Sequence, residues 1–452
     1  MNIVIAGCGK IGAAVLKSML VEGHDVTVID SSKDRVKEIL NTYDVMAACG
    51  NAVDHDVLKA AGAETADVFI AMTGSDEQNM LACFFARRLG SRNTIARIRD
   101  AEYDGKAGTF IKQQMELSMT VNPEQLASKE IFNILRLPSA VKVETFANGI
   151  FEMVELRLKD DSPLCDLTLA AIRGRIKGTY LICTVQRNDE VYIPDGSFIL
   201  RAGDRITLAA PPAEIQRILK QLDLLKKQAR SIMILGASRM AYYLGKRLSF
   251  IGSRIKIIEQ DQARADKMSE QLPTCSVIRA DGADQEVLLE EGLRSVDAFI
   301  ALTGMDEENI LLSAFAASVN VPKVITKISR TQLTGIANTL GLDTVIDPKT
   351  AAADLVTRYV RALRNSRGGK IEALYNVADG AAEVLTFTAA DDFAGADTPL
   401  KTLQLKPHVL IAGVMRGRKP LVPTGDDVIL PGDRVIVIAR GKLLNDLSDI
   451  LK

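Results

Sequence analysis

The residue types with the clearest chemical meaning lie in a glycine-rich loop near the start of the chain. The loop follows a short apolar run, precedes a helical pattern and shows G-x-G-x-x-G spacing in Gly7, Cys8, Gly9, Lys10, Ile11 and Gly12. The first glycine permits a tight turn, the second lets the backbone approach a pyrophosphate, and the third lets helix and strand pack closely. Because the helix start offers unpaired N–H groups to phosphates, the loop predicts a nucleotide site.

Polar residues at the ends of later strand-like runs extend this prediction. Asp30 ends the second run, 18 residues after Gly12, where a carboxylate accepts hydrogen bonds from ribose hydroxyls and repels a 2′-phosphate. That favours NAD or NADH over NADP, but ATP and ADP carry the same ribose and stay open as ligands of the same site. Asn51, Thr73, Gly74 and Arg97 follow or end the next runs, at the edge where open α/β sheets bind ligands. For Arg97 a salt-bridged structural role is an equally open interpretation, and for Asn51 a position outside the site is equally open.

A long internal repeat doubles the candidate site. Residues Ala66–Ala86 and Val296–Ala316 are identical at 12 of 21 positions at an offset of 230, and both contain T-G-x-D-E-x-N. Weaker matches continue along the chain at nearly the same offset. The chain is therefore two copies of one unit, joined around Lys226–Arg230.

The second copy departs from the first in its glycine loop. It keeps only the first glycine, Gly236, so close backbone approach to a phosphate is harder. Ser238 stands in the place of Gly9, Thr303 is kept, and Lys327 stands where Arg97 stood. Glu259 takes the place of Asp30 and keeps the capacity to bind ribose. We therefore expect a second site that is weaker, different or empty.

The elements that must position these residues alternate between short apolar strands and amphipathic helices. In the first copy, strand-like runs at Ile3–Ala6 and Val26–Ile29 are each followed by a helical pattern, such as Lys10–Leu20. This alternation is typical of a parallel sheet covered on both faces, a doubly wound Rossmann-like α/β fold. After Pro138 the pattern changes to a smaller, strand-rich α+β unit.

Each copy is expected to end in this small unit. Strands are predicted at Phe151–Leu158, Thr179–Gln186 and Arg205–Ala209, with helices near Leu164–Ile172 and at Ala213–Leu222, and the second copy is expected to repeat them. The fold class is thus a tandem α/β duplication. It divides into Rossmann-like 1–137, small 138–226, Rossmann-like 230–365 and small 366–452.

Composition limits the function classes. The chain has 452 residues, a net charge of -1 and no Trp, so neither a basic field nor stacking platforms favour nucleic acid as a partner. No apolar run approaches the roughly 18–20 residues of a membrane-spanning helix, and the N-terminus does not resemble a signal peptide. The six cysteines form no Cys-x-x-Cys pair and only three histidines are present, so we expect no metal site.

The sequence also lacks a residue constellation that indicates catalysis. A dehydrogenase needs a substrate domain with a positioned acid or base, whereas the units that follow the Rossmann-like domains are small and duplicated. Tyr242 and Lys246 have Tyr-x-x-x-Lys spacing, but they lie too early, on the first helix after the second loop. The favoured interpretation is a nucleotide sensor that is not an enzyme, and the alternative is a soluble NAD-linked oxidoreductase.

These motifs together resemble the RCK (KTN) domain family. The resemblance rests on the glycine loop with Asp30, the T-G-x-D-E-x-N block, the I-A-R-I-R strand and the G-D-R sequences at Gly203 and Gly432 that close the small units. It covers essentially the whole chain. The tandem order resembles the regulatory subunits of the Trk potassium uptake system.

The resemblance implies a function that the residues alone do not give. It implies a subunit that regulates potassium transport and binds NAD or NADH, with ATP or ADP in the same site. In the first copy, it assigns nucleotide contacts by motif to Gly7, Cys8, Gly9, Lys10, Ile11, Asp30, Asn51, Thr73, Gly74 and Arg97. In the second copy, it assigns them to Ser238, Arg239, Met240, Glu259, Thr303 and Lys327. It further implies a homotetramer, with eight RCK units in a ring, in the cytoplasm against the inner face of the membrane. The implied partner is an integral membrane potassium-translocating subunit, TrkH- or TrkG-like. A regulator of another cation transporter is a further alternative.

Overall fold

A computed structural model describes residues 1–146, 149–188, 190–225, 228–365, 371–377, 381–417, 419–441, 444 and 446–452. The predicted joint at 226–230 falls partly outside these residues, and the predicted boundary at residue 366 falls wholly outside them. Within them, the chain forms two parallel and two antiparallel sheets, one pair for each copy.

The first unit is a six-stranded parallel sheet flanked by helices, as the alternating pattern predicts. The strands are β1 (Asn2–Ala6), β2 (Asp25–Asp30), β3 (Met46–Cys49), β4 (Val68–Ala71), β5 (Thr94–Arg97) and β6 (Met119–Val121). The helices are α1 (Lys10–Val21), α2 (Lys33–Thr42), α3 (His55–Ala60), α4 (Asp76–Leu89), α5 (Gly105–Gln114) and α6 (Pro123–Arg136). The strand order is β3-β2-β1-β4-β5-β6, so it reverses between β1 and β4, where their carboxyl ends open a crevice.

Short polar residues start most of these helices. Ser32, Asp54, Ser75 and Asn122 each accept a hydrogen bond from a backbone N–H in the first turn of the helix that follows. Such N-caps satisfy donors that the helix itself leaves unpaired. Helix α1 differs, because its N-cap is Gly9 and no described side chain caps it.

The second large unit repeats this topology in full. Its strands are β12 (Ser231–Leu235), β13 (Arg254–Glu259), β14 (Ser276–Arg279), β15 (Ala298–Ala301), β16 (Lys323–Lys327) and β17 (Val345–Ile346). Its helices are α9 (Arg239–Phe250), α10 (Gln262–Gln271), α11 (Gln285–Glu290), α12 (Asp306–Ser318), α13 (Thr334–Thr339) and α14 (Pro348–Asn365). The strand order β14-β13-β12-β15-β16-β17 matches the first unit strand for strand, which confirms the duplicated Rossmann-like fold.

The last helix of each large unit packs on the other copy. Ile131 and Ile134 of α6 lie in the core formed by β12 and α9. Val356 and Val360 of α14 lie in the core formed by β1 and α1. The two large units thus share an interior, and this exchange brings the carboxyl edges of their sheets together. The sequence analysis did not predict it.

The small units are five-stranded antiparallel sheets. The first contains β7 (Lys142–Phe146), β8 (Phe151–Arg157), β9 (Leu181–Arg187), β10 (Glu190–Tyr192) and β11 (Arg205–Ala210), with α7 (Leu169–Arg175) and α8 (Pro212–Gln221). The second contains β18 (Ile371–Val377), β19 (Ala382–Thr388), β20 (Val409–Arg416), β21 (Lys419–Leu421) and β22 (Arg434–Ala439). Both have the same strand order, and they pack together through one core that includes Phe151, Cys183, Val384 and Ile436.

Two predictions for the small units were wrong in part. The helix expected near Leu164–Ile172 begins at Leu169, because the hydroxyl of Thr168 caps it by accepting from the N–H of Ala171. The expected repetition holds for the strands only. In the described part of the second small unit, 3-10 turns at Leu400–Thr402 and Leu447–Ile450 are formed instead of α-helices. In the same described ranges, none of the helices combines the length and apolar content that crossing a lipid bilayer requires.

Candidate functional site

The glycine loop between β1 and α1 is shaped by close backbone contacts. Gly7 has a φ of +86°, and a Cβ atom there would lie 2.7 Å from the backbone of Thr73. A Cβ on Gly12 would lie 1.9 Å from the carbonyl oxygen of Gly7. Both glycines are therefore required by packing. At Gly9, by contrast, no described atom lies within 4 Å of the Cβ position, so the loop leaves open space there.

That space lies over the free N-terminus of α1. Because the N-cap residue Gly9 has no side chain, it offers no acceptor to the first N–H groups of the helix. Unpaired helix N–H groups and the helix dipole together favour an anion at this position. Lys10 and Ile11, the next two residues, line the same cavity as Gly7 and Gly9. The arrangement therefore fits a pyrophosphate group.

Asp30 lies beside the loop at the end of β2. Its carboxylate is buried and accepts from the N–H of Cys8 at 2.8 Å and of Ser32 at 2.9 Å, and Arg35 lies 3.3 Å away. Carboxylate oxygens have further lone pairs, so Asp30 keeps the capacity to accept from ribose hydroxyls. The Cys8 side chain packs in the core instead, and burial raises the pKa of its thiol to about 12.

The T-G-x-D-E-x-N block proves to be structural. Asn79 is fully buried; its side-chain oxygen accepts from the N–H and hydroxyl of Thr73, both at 2.7 Å, and its amide donates to the Arg97 carbonyl at 2.9 Å. Asp76 accepts from the N–H groups of Arg99 and Asp100 at 2.7 and 2.8 Å. These bonds hold the carboxyl ends of β4 and β5 together. The block is needed to shape the edge of the site.

Two arginines at the end of β5 face this edge. The guanidinium of Arg97 donates to the Thr73 carbonyl, and no described acceptor bonds its Nε atom. Burial, with the nearby charge of Arg99, lowers the pKa of Arg97 to about 10, so it stays charged at neutral pH. Arg99 donates to the Gly74 carbonyl at 2.6 Å and lies 3.5 Å from Asp76. The guanidinium of Arg97 thus has one described partner in the protein, whereas that of Arg99 contacts both Gly74 and Asp76.

A cavity of about 900 Å³ lies above this edge, and residues of both copies line it. We call it the large cavity. Its described lining holds nine basic side chains against three carboxylates, those of Asp30, Asp100 and Glu124. The basic residues are Lys10, Arg35, Arg97 and Arg99 from the first copy and Arg239, Arg264, Lys267, Lys327 and Lys349 from the second. Such an excess of positive charge favours a ligand with several phosphates.

A polar contact joins the two copies beside the large cavity. Tyr243 of α9 is almost fully buried; its hydroxyl donates to the Arg99 carbonyl at 2.9 Å and accepts from the Asn122 side chain at 2.8 Å. The helix start of the second copy is thereby bound to the strand end of the first site. Sequence reasoning missed this residue, because Ala14 occupies the equivalent position in the first copy and no motif marks Tyr243.

The equivalent edge of the second copy encloses a smaller space of about 260 Å³, here called the second cavity. Glu259 repeats the role of Asp30, since it accepts from the N–H of Ala237 at 2.7 Å and of Asp261 at 2.9 Å. The N–H of Thr303 donates to Asn309 at 2.9 Å, as in the first copy. The helix start differs: the hydroxyl of Ser238 accepts from the N–H of Ala241 and caps α9.

The predicted site residues are distributed differently from what the repeat suggests. The large cavity brings together Gly7, Gly9, Lys10, Ile11, Asp30, Thr73, Gly74 and Arg97 with Ser238, Arg239, Met240 and Lys327. Glu259 and Thr303 line only the second cavity, and Ser238 lines both. Arg239, Met240 and Lys327 were assigned to the second site, but the exchange of helices places them over the first. Cys8, Gly12 and Asn51 line neither cavity; exposed Asn51 accepts from the lining residue Gln78 at 2.7 Å.

Comparisons with known proteins agree with this architecture. The TrkA-N domain model matches residues 3–117 and 232–348, and the TrkA-C domain model matches 153–223 and 391–452. The Trk system potassium uptake protein TrkA of Vibrio alginolyticus is 30% identical over 459 residues, covering 100% of this chain and 99% of its own length. A TrkA homolog of Archaeoglobus fulgidus is 29% identical over 453 residues, covering 100% of this chain and 100% of its own length. Among solved structures, the GsuK channel matches 97% of this chain and 77% of its own, with a TM-score of 0.64 and 17% identity, which shows the shared fold.

Proposed function

Since the chain belongs to the TrkA family, we propose that it is the nucleotide-binding regulatory subunit of a Trk-type potassium uptake system. The observation that carries the proposal is the free N-terminus of α1, which opens into a basic cavity beside Asp30. A site of this composition is suited to hold a ligand with ribose and phosphates. The protein would act by binding and not by turnover, which fits relatives that are named as potassium uptake proteins.

The ligand we propose is NAD or NADH, with ATP or ADP as alternatives in the same site. The N–H groups of Lys10 and Ile11 would hold the pyrophosphate, and Asp30 would hold the ribose. Arg97 lines the same cavity and would add a positive charge beside the phosphates. The phosphates of the ligand would offset the excess of basic over acidic side chains in the lining of the large cavity.

Regulation would follow from the position of the large cavity between the copies. Arg239 and Lys327 belong to one copy and Asp30 to the other, so a ligand that contacts all three favours the arrangement that closes the cavity. A ligand shifts a conformational equilibrium only by the difference in its affinity for the two states. Ligands with the same adenosine but different phosphates would then stabilise different arrangements.

Assembly into a homotetramer, a ring of eight units, is also part of the proposal. Equivalent helices of both copies expose large apolar side chains: Leu81 and Phe110 on α4 and α5, Leu311 and Ile336 on α12 and α13, and Leu340 directly after α13. Repeated apolar patches of this kind support self-association. We propose that the ring lies in the cytoplasm, on the inner face of the membrane, against a TrkH- or TrkG-like subunit. The division at 1–137, 138–226, 230–365 and 366–452 is likewise proposed.

Calorimetric titration of the purified chain with NADH, NAD, ATP and ADP tests the ligand. We expect saturable binding to the wild-type chain and its loss in Asp30→Ala, with the melting temperature of the unliganded variant as the folding control. Potassium uptake by cells or vesicles that contain a TrkH-type subunit, with and without this chain, tests the role. If the chain binds a nucleotide but has no effect on potassium uptake, a regulator of another cation transporter would be favoured.

A further inference from the structure

The second cavity lies at the carboxyl edge of the second sheet, where β12, β13 and β15 end. Its position corresponds to that of the nucleotide site in the first copy, but its chemistry differs in three respects. The helix start, the charge of the lining and the residue on the rim have all changed. Each difference bears on the class of ligand that fits.

The helix start is the first difference. Ser238 occupies the place of Gly9, and its hydroxyl accepts from the N–H of Ala241 at 3.3 Å. The N–H of Ala241, at the place of Gly12, is therefore already paired, and the Ser238 side chain stands where Gly9 leaves open space at the start of the helix. A pyrophosphate would have to displace this cap, which itself stabilises the helix.

The charge of the lining is the second difference. Among its described residues, the second cavity has three carboxylates, those of Glu259, Asp281 and Glu308, and one basic side chain, that of Arg264. The ratio is reversed in the large cavity, where nine basic residues face three carboxylates. Arg239 and Lys327, which would neutralise a phosphate, line the large cavity and are not among the residues of the second. A ligand with several phosphates would be repelled.

The groups that recognise a nucleoside are nevertheless present. Glu259 is buried and pairs with two backbone N–H groups, which fixes its carboxylate at the position of Asp30 with lone pairs left for ribose hydroxyls. Asp281 lies at the place of Asn51 and presents a carboxylate, an acceptor for the amino group of adenine. Met305, 58% exposed on the rim at the place of Ser75, offers a thioether surface to a base.

From these contacts we infer that the second cavity binds a ribonucleoside that carries no phosphate, adenosine being the type. The inference rests on the proposed function, because it takes the first copy as the site for nucleoside phosphates. It adds a second ligand class to the same chain. The chain would then respond to a nucleoside and to a nucleotide through separate cavities, which the helix start of α9 separates and Ser238 lines on both sides.

The test is calorimetry on the full-length chain with adenosine and ADP as the probes. In Asp30→Ala, which removes the ribose acceptor of the first site, we expect one adenosine site per chain and ADP binding at least tenfold weaker. In the wild-type chain presaturated with ADP, adenosine should still bind at one site per chain. Glu259→Gln should weaken adenosine binding at least tenfold, and Met305→Ser, which installs the first-copy residue on an exposed rim, several-fold.

A matched gain-of-function variant sharpens the test. Ser238→Gly restores the glycine of the first copy, so the preference for adenosine over ADP in the second cavity should shrink several-fold. Equal affinity of the second cavity for ADP and adenosine, or no adenosine binding to the ADP-saturated chain at millimolar concentration, would overturn the inference. If Glu259→Gln does not fold, Met305→Ser carries the same comparison. Failure of NADH, NAD, ATP and ADP all to bind the wild-type chain, with adenosine binding intact, would refute the proposed function and leave the second cavity as a nucleoside site.

Discussion

The two copies of the chain share their strand-end block but differ at their helix starts. Asn79 and Asn309 make the same buried hydrogen bonds, and Asp30 and Glu259 hold equivalent N–H groups. Yet Gly9 leaves α1 uncapped, whereas Ser238 closes α9. Positions that shape the sheet edge have stayed alike after duplication, while the position that starts the first helix has diverged. Similarity between repeats therefore marks structural requirements better than it marks shared chemistry.

The largest expected effect tests whether the two loops have different backbone requirements. Gly12→Ala places a Cβ atom 1.9 Å from the Gly7 carbonyl oxygen, so we expect a loss of about 3 kcal/mol in the free energy of unfolding and no nucleotide binding. The second copy already has Ala241 at this position, and Ala241→Gly should cost only about 1 kcal/mol. Urea unfolding and ADP titration of both variants measure this. Equal costs would show that the loops are equivalent.

The next effect should be the same in both copies. Asn79→Ala and Asn309→Ala each remove a buried amide that bonds two strand ends, so we expect each to lower the free energy of unfolding by about 2 kcal/mol. Denaturant unfolding followed by circular dichroism checks the prediction. If Asn309→Ala left the free energy of unfolding unchanged, the T-G-x-D-E-x-N block would have lost its structural role in the second copy.

A smaller effect should make the first site resemble the second. Gly9→Ser adds a side chain in open space and a hydroxyl that caps α1, so ADP should bind about tenfold more weakly, or about 1.4 kcal/mol. Adenosine affinity should change less than twofold, because Asp30 is untouched. Gly9→Ala, which adds the Cβ without the hydroxyl, separates crowding from capping. An unchanged ADP affinity in the serine variant would contradict our account of the helix start.

The smallest effect concerns discrimination between ligands. Arg97→Ala removes a charged donor at the phosphate end of the large cavity, so the ratio of the dissociation constants for NADH and ATP should move about threefold toward unity. Adenosine binding should be nearly unaffected. Titration of all three ligands into the wild type and the variant provides the comparison. Equal losses for all of them would show that Arg97 acts only on the structure of the edge.

Much of the fold follows from the sequence because the parallel strands are short, apolar and separated by amphipathic helices. The spacing of Gly7, Gly9 and Gly12 and the acidic residue at Asp30 also predict that these residues lie at one sheet edge, where the structure places them. Local patterns contain this information. They also explain why the loss of two loop glycines in the second copy predicts a weaker, different or empty second site.

The arrangement of the copies does not follow from the sequence. The apolar face of α6 predicts burial, but nothing in its periodicity states which sheet covers Ile131 or Ile134. For this reason the sequence did not predict that Arg239, Met240 and Lys327 line the large cavity, and Tyr243 was missed. Contacts between distant parts of the chain depend on three-dimensional packing and leave no local signal.

The exchange of α6 and α14 makes the duplicated chain equivalent to a dimer whose subunits are tethered end to end. Each half lacks one helix of its own core and supplies the missing helix of the other. A gene cut at the joint would therefore encode two fragments that are incomplete apart and complementary together. Because the exchange is reciprocal, loss of either helix would leave the core of the other half incomplete. We therefore expect each half of the fused chain to depend on the other for folding.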